Sequence, residues 1–379
     1  MLSSIRIKGF RKYKDFTIDD FGRVNFILGN NNVGKTTVLE AIYGWACGQN
    51  ISPFLNIPLS RGRYSGMQYS YWMMEEIMAL VNDHSSLPFT LSFTGIYNEK
   101  EESFKHIIYP SELLTDYDSS YKRLLNNRIP KSNEIDHKDI SPFLSTQSGI
   151  FQVPQPVVLA KWEIRHNKSV ISENITAPIS TVQTIKPFLI AKYIDVLSHT
   201  IVSQTVQIYS SLKREKLINN VAEEMRKVYP EIAGFDMIPY PDGSQSPISI
   251  VKNDGTLLPI YAYGDGVQRW FYILGAIALY KNSIICIDEI DTGFHPDAQT
   301  QFSKHLVQYA RDNNVQLFIT THNIEYVDHF LDAVKELGKG YEEEARVFTL
   351  REKERITRKR MLKSNEAEIA RNNYGVDLR

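Results

Sequence analysis

Apolar positions change their spacing several times along the chain, and each change marks an element. Ile5-Arg6-Ile7-Lys8 alternates, and so does the stretch around Phe16-Thr17-Ile18, which predicts two strands with one covered face. Val24-Asn25-Phe26-Ile27-Leu28 is nearly continuous, as in a strand buried on both faces. Thr37 to Tyr43 then brings Val38, Leu39, Ile42 and Tyr43 to one side of a helix. Residues 69–84 read as helical, and 89–93, 104–109 and 157–164 as strands. Between them, 111–149 is polar and reads as long loops or a small excursion from the core. Residues 185–229 read as helical, through Phe188, Ile190, Ala191, Ile194 and Leu197 and then Val202, Val206, Tyr209 and Leu212, and Pro230 stops the run. Short strands follow in 235–260, with a hairpin signal at Asn253-Asp254-Gly255. An apolar helix over 270–280, a buried strand Ile284-Ile285-Cys286-Ile287, a helix carrying Phe302, Leu306, Tyr309 and Ala310, and a strand over 315–321 complete the centre. The tail reads as a helix (324–337), an acidic turn, two strands (346–350 and 356–363) and a short helix capped near Ser364 or Asn365. The pattern predicts an α/β fold with a mixed sheet, divided into 1–184, an inserted helical arm at 185–230, and 231–379.

Composition narrows this reading. The 379 residues are 42% hydrophobic and 23% charged, a globular balance sufficient for one large domain or two moderate ones. The formal net charge of −1 excludes a global basic field, so contact with nucleic acid would need a local patch. Candidate patches are Arg61 and Arg63 in a glycine-bearing loop, and the run 355–363, which holds Arg355, Arg358, Lys359, Arg360 and Lys363 and no acid. A solvated edge strand protected from sheet pairing is the plainer account of that run. Two cysteines, Cys47 and Cys286, form no disulfide framework and fit a reducing compartment. The longest apolar run is too short to span a bilayer, and the N-terminus alternates instead of forming an apolar signal core. The expectation is a cytoplasmic protein with no membrane partner.

The candidate chemistry begins at Gly29-Asn30-Asn31-Asn32-Val33-Gly34-Lys35-Thr36, which satisfies G-x-x-x-x-G-K-[ST] between a strand and a helix. Its glycines let backbone N–H groups turn inward around phosphate oxygens, and the helix N-terminus adds its positive end. Lys35 would reach the β- and γ-phosphates, the Thr36 hydroxyl would hold Mg²⁺, and Asn30 to Gly34 with Thr37 would line the cradle. Phe10 or Tyr13 is a candidate to stack on a base, with Arg11 or Lys12 near the phosphates. Downstream, the strand 284–287 ends in Asp288-Glu289. Asp288 would anchor Mg²⁺ through its water shell and Glu289 would polarise an attacking water. Gly264-Asp265-Gly266 opens the apolar helix, Asp291 lies in the loop after Glu289, and His322 ends the 315–321 strand, where it would face the γ-phosphate.

This order resembles the ABC-type ATPases of the RecF, Rad50/SMC and OLD kind. Ile7-Lys8-Gly9-Phe10-Arg11 looks like their opening strand, Gly264-Asp265-Gly266-Val267-Gln268-Arg269 stands where transporters carry a signature motif, and the ending Tyr374-Gly375-Val376-Asp377-Leu378-Arg379 is similar to that of stand-alone OLD-like ATPases. The resemblance implies an ATPase using ATP and Mg²⁺. Two copies would sandwich two ATPs, each site combining one chain's Lys35, Thr36, Asp288 and Glu289 with the other chain's Gly264, Asp265 and Gly266, with His322 and Asp291 at the seam. A glutamine of the Mg²⁺ shell has no clear place, and Gln147 and Gln152 are the candidates. The 57 residues after His322 leave no room for the TOPRIM nuclease of full-length OLD proteins. The stand-alone relatives act beside a separate effector, as in the two-component PARIS anti-phage systems. The resemblance therefore implies a homodimer or higher homo-oligomer, a TOPRIM-type nuclease or toxin as partner, and a phage protein as trigger. The alternative is a RecF/Rad50-like DNA-binding ATPase in repair, without long coiled-coil heptads. A transporter subunit fits poorly, because of the Gly-Asp-Gly signature and the large insertion.

Overall fold

A computed structural model describes residues 1–60, 76–84, 87–110, 157–177, 185–238, 247–294, 296–354 and 356–379. The predicted loops over 111–149, the Arg61/Arg63 loop, residues 69–75 of the predicted 69–84 helix, Gln147, Gln152 and Arg355 lie outside the described residues.

Three sheets organise the chain. The first is six-stranded and antiparallel, in the order β2 (Tyr13–Asp19), β1 (Leu2–Phe10), β4 (Phe89–Tyr97), β5 (Lys100–Pro110), β6 (Val157–His166) and β7 (Ser169–Ala177). Its alternating strands have one covered face, as the sequence predicts. The second carries the phosphate loop. Its order is β15 (Ile356–Lys363), β14 (Ala345–Lys353), β3 (Val24–Gly29), β13 (Gln316–Thr320), β12 (Ile284–Ile287) and β8 (Ala191–Ile194). All its pairs are parallel except β14–β15. A small third sheet joins β9 (Ile232–Asp236), β10 (Ser249–Lys252) and β11 (Leu257–Pro259), and Gly255 at φ +83° turns the hairpin predicted at Asn253-Asp254-Gly255.

The parallel sheet is apolar on both faces because both are covered. Ile27, Cys286, Phe318 and Phe348 point into one core with α1 (Lys35–Cys47), α2 (Ser52–Ser60) and the antiparallel sheet. Phe26, Leu28, Ile285, Ile287, Leu317, Ile319 and Val347 point into the other. That second core is closed by α3 (Val202–Arg214), α4 (Ile218–Arg226), α5 (Asp265–Leu279), α6 (Pro296–Asp312) and α7 (Ile324–Leu337). The last helix, α8 (Ser364–Tyr374), follows the β14–β15 hairpin. α1 is therefore enclosed by two sheets, and ten of its thirteen residues are buried. Gln316 on β13 ties the sheets together: its Oε1 accepts from Leu2 N at 2.9 Å, and its Nε2 donates to Leu2 O and Gly22 O at 2.8 Å each.

One element departs from its predicted form. Residues 185–229 are not helical throughout, because Ala191–Ile194 is an edge strand in parallel register with Ile284–Ile287. The helices begin only at Val202.

Candidate functional site

Parallel strands end together, and side chains just past those ends meet in one place. Register sets this: Ile194 and Ile319 both pair with Ile287, and Thr320 pairs with Ile27. Residues following β3, β12, β13 and β8 therefore gather at one edge of the sheet, where open α/β sheets hold ligands. A cleft of ≈ 470 Å³ lies there, lined by Arg11, Asn31, Asn32, Gly34, Lys35, Thr36, Thr37, Glu40, Asp288, Glu289 and His322.

The phosphate loop is shaped by two left-handed positions, one of which a side chain would spoil. Gly34 has φ +105°, and a Cβ there would stand 2.3 Å from the Tyr13 hydroxyl. Asn32, at φ +63°, belongs to a residue type that tolerates this region. Tyr13 donates to Gly34 O at 3.1 Å and braces the loop from outside. Lys35 donates to the loop's own carbonyls, Gly29 O at 2.7 Å and Asn30 O at 3.1 Å. Burial pushes its pKa down, while the Glu289 and Asp288 carboxylates pull the other way. Asn30 contributes that backbone oxygen, and Val33 is buried beneath the loop.

Three hydroxyls converge on Asp288. Thr36 Oγ1 lies 3.1 Å from both carboxylate oxygens, Thr320 Oγ1 2.5 Å from Oδ1, and Tyr193 OH 3.2 Å from Oδ2. These are hard oxygen donors of the kind Mg²⁺ takes. The residues present thus fit Mg²⁺ held by Thr36 and Asp288, which would supply charge neutralisation at the phosphates. Glu289 sits at φ +49°, its N–H bonded to Thr320 Oγ1 at 2.9 Å. Its exposed carboxylate is 3.7 Å from His322 Nδ1.

Three expectations are corrected. Phe10 is fully buried against Phe54 and Phe93, so it is no base-stacking platform. Tyr13 is 3% exposed and committed to the loop, so it is none either. Lys12 pairs with Glu352 and Asn32 O instead of facing the cleft. Arg11 does line the cleft, but its Nε lies 2.7 Å from the buried Glu40 carboxylate. Gly264, Asp265 and Gly266 stand at the start of α5, outside the lining of this cleft. Gly266 meets the Asp291 loop, since a Cβ on it would be 2.3 Å from Gly293 O. Asp291 accepts from Thr321 Oγ1 at 2.5 Å. Of the basic run, Arg358, Lys359, Arg360 and Lys363 lie on the edge strand β15, and Lys359 pairs with Asp19.

Sequence reading missed Tyr193, Glu40 and Thr320. Hydrophobic spacing gives no sign of the first. Thr320 was legible in principle, as the polar residue that closes a buried strand.

Residues 51–328 match the family described as "AAA domain, putative AbiEii toxin, Type IV TA system", and residues 1–48 match an AAA ATPase domain. A Helicobacter pylori protein called ATP/GTP phosphatase is 24% identical over 368 residues, 93% of each chain. The DNA replication and repair protein RecF of Oenococcus oeni is 45% identical over 42 residues, 11% of each chain. A solved Smc head domain with an extended coiled coil, bound to the C-terminal domain of ScpA derived from Pyrococcus furiosus, matches with a TM-score of 0.53 at 11% identity. That match covers 99% of this chain and 100% of the other. The fold is that of ABC-type P-loop ATPases. Among the described residues no helix is long and apolar enough to cross a membrane.

Proposed function

The chain belongs to the AAA-domain family of that description, and from this premise we propose that it binds and hydrolyses ATP as the assembly and sensor subunit of a two-component anti-phage system. The observation that carries the ATPase reading is the convergence of Lys35, Thr36, Asp288, Glu289 and His322 on one cleft. Amides of the phosphate loop and Lys35 bind the phosphates, Thr36 and Asp288 hold Mg²⁺, and Glu289 orients and deprotonates water. The relative called ATP/GTP phosphatase supports hydrolysis. Two copies close on two ATPs, each presenting Gly264, Asp265 and Gly266 to the other's γ-phosphate, and this closure is the switch.

The family description, with its toxin and type IV toxin–antitoxin system, supports a role beside a separate effector. In the narrowest form of this reading the chain resembles AriA, the ATPase subunit of PARIS. It would then act in the cytoplasm, hold a TOPRIM-type nuclease or toxin, and release it when a phage protein is sensed.

Glu289→Gln tests both levels. ATP binding persists, hydrolysis falls by at least about 100-fold as for loss of a general base, and ATP traps an assembled form in size-exclusion light scattering. Wild-type hydrolysis in this variant overturns the site. Capture of the trapped form from its host with a stoichiometric small protein supports the two-component reading, and capture of DNA alone refutes it. The short identity with RecF favours one second reading, an ATPase of DNA repair. Its mark is ATP-dependent DNA binding that weakens steeply with salt.

A further inference from the structure

Arg269, in the first turns of α5, is fully buried. Its Nη2 donates to the carbonyls of Asp288 and Glu289, at 2.8 Å each. Its Nη1 donates to Val196 O at 2.9 Å and lies 3.5 Å from His199 Nδ1. A guanidinium has only donors, so Nδ1 is the accepting nitrogen of His199 and Nε2 carries the hydrogen. That Nε2 stands 2.7 Å from Asp265 Oδ1. His199 is 1% exposed, and burial disfavours its charged form, which keeps this tautomer in place. The loop around it is fixed as well: His199 O accepts from Gln268 Nε2 at 2.5 Å and from Thr205 Oγ1 at 2.9 Å.

A continuous chain of polar contacts thus runs from a half-exposed carboxylate at the start of α5, through a buried imidazole and a buried guanidinium, to the turn that holds Glu289 at φ +49°. A buried charge deprived of its acceptors is costly, so these carbonyls and the Asp265 carboxylate do not move independently. We infer that Asp265, His199 and Arg269 form a positioning relay that couples the partner-facing start of α5 to the backbone orienting Glu289. This rests on the proposed ATP sandwich, in which Asp265 meets the nucleotide held by the partner while Glu289 serves the nucleotide in its own cleft. Hydrolysis in one cleft then depends on occupancy of the other, and the two sites fire cooperatively.

The test is steady-state hydrolysis against ATP concentration for wild type, His199→Phe and His199→Gln, with folding checked by circular dichroism. Wild type shows a Hill coefficient above 1. His199→Phe brings it to 1 and lowers kcat about tenfold, the effect of roughly one lost hydrogen bond in the transition state. Fluorescent-nucleotide affinity stays within about twofold, as expected when the lost contact is made only in the transition state. His199→Gln, which keeps a donor and an acceptor, recovers most of both. If His199→Phe does not fold, Asp265→Asn, altering a half-exposed side chain, must also bring the Hill coefficient to 1. Wild-type cooperativity in these variants, or a Hill coefficient of 1 in an assembled wild type, overturns the relay alone. A wild type that neither assembles with ATP nor hydrolyses it overturns the functional reading and the relay together.

Discussion

His106 gives the stability of the antiparallel sheet a definite dependence on pH. The side chain lies on β5, fully buried, edge-on to Phe54 at 5.5 Å and Phe93 at 5.4 Å. Its Nδ1 accepts from Trp162 Nε1 at 3.2 Å, so its hydrogen is on Nε2, which has no acceptor. Burial pushes the pKa down to about 3, against about 6.5 in the unfolded chain. The unfolded state therefore takes up the proton first as pH falls. Above pH 6.5 the residue costs nothing by this route. Below it, stability is lost at up to ~1.4 kcal/mol per pH unit until the folded pKa is reached, which makes ~2.3 kcal/mol between pH 6.5 and 4.5. His106→Phe removes the titration. It strands the Trp162 N–H, at about 1–3 kcal/mol, but also removes the orphaned Nε2–H, an offset of similar size. Variant and wild type should thus lie within about 2 kcal/mol at pH 7.5, and the difference should shift by ~2–3 kcal/mol in favour of the variant at pH 4.5. Urea unfolding followed by tryptophan fluorescence across this range measures it, and taking the difference cancels carboxylates and histidines common to both. A difference constant to about 0.5 kcal/mol would refute the reasoning, since each pH unit of coupled titration carries more than that.

Other outcomes follow from the cleft. Lys35→Ala should weaken ATP binding by calorimetry about 10- to 100-fold, the span of a lost charged hydrogen bond, and unchanged affinity would remove Lys35 from the phosphate site. Tyr193→Phe deletes one hydroxyl on Asp288 and should raise the Mg²⁺ concentration for half-maximal hydrolysis about fivefold; an unshifted titration would show the contact to be idle. Gly266→Ala forces a Cβ to within 2.3 Å of Gly293 O, so ATP-dependent assembly should fail while nucleotide still binds each chain. Assembly at wild-type ATP concentrations would mean that the start of α5 does not face a partner.

Much of this site was readable because its residues end strands that are apolar on both faces. A short, β-branched run such as Ile284-Ile285-Cys286-Ile287 followed by Asp288-Glu289 favours a buried strand, and the phosphate loop carries its own flanks. β8 was illegible for the opposite reason. Ile190, Ala191, Ile194 and Leu197 fall at helical spacing, and a four-residue edge strand is identified only by its register on Ile284–Ile287. Missing β8 hid Tyr193 and the His199 loop behind it. Phe10 misled through phase: Ile5 and Ile7 point inward, so Phe10 should face out, but Gly9 at φ +66° shifts the strand and turns the ring into the core. Arg269 was noted only as part of a motif, because nothing in an apolar helix announces that its one cation will be swallowed whole.

The enclosure of α1 decides which part of the molecule is free to respond to nucleotide. Trp45 donates from this helix to Glu102 O on β5 at 2.9 Å, and Val38, Leu39 and Ile42 share a core with strands of both large sheets. Tilting α1 would open gaps on two sides at once, and close-packed interiors resist that. The loop and its helix thus form an anvil. The hammer is the opposite face of the parallel sheet, where α3 to α7 pack mainly on one another and on a small three-stranded sheet. Amide exchange slowed by ATP should therefore be found chiefly at α3, α5 and the loop between β8 and α3, with α1 already protected before nucleotide arrives.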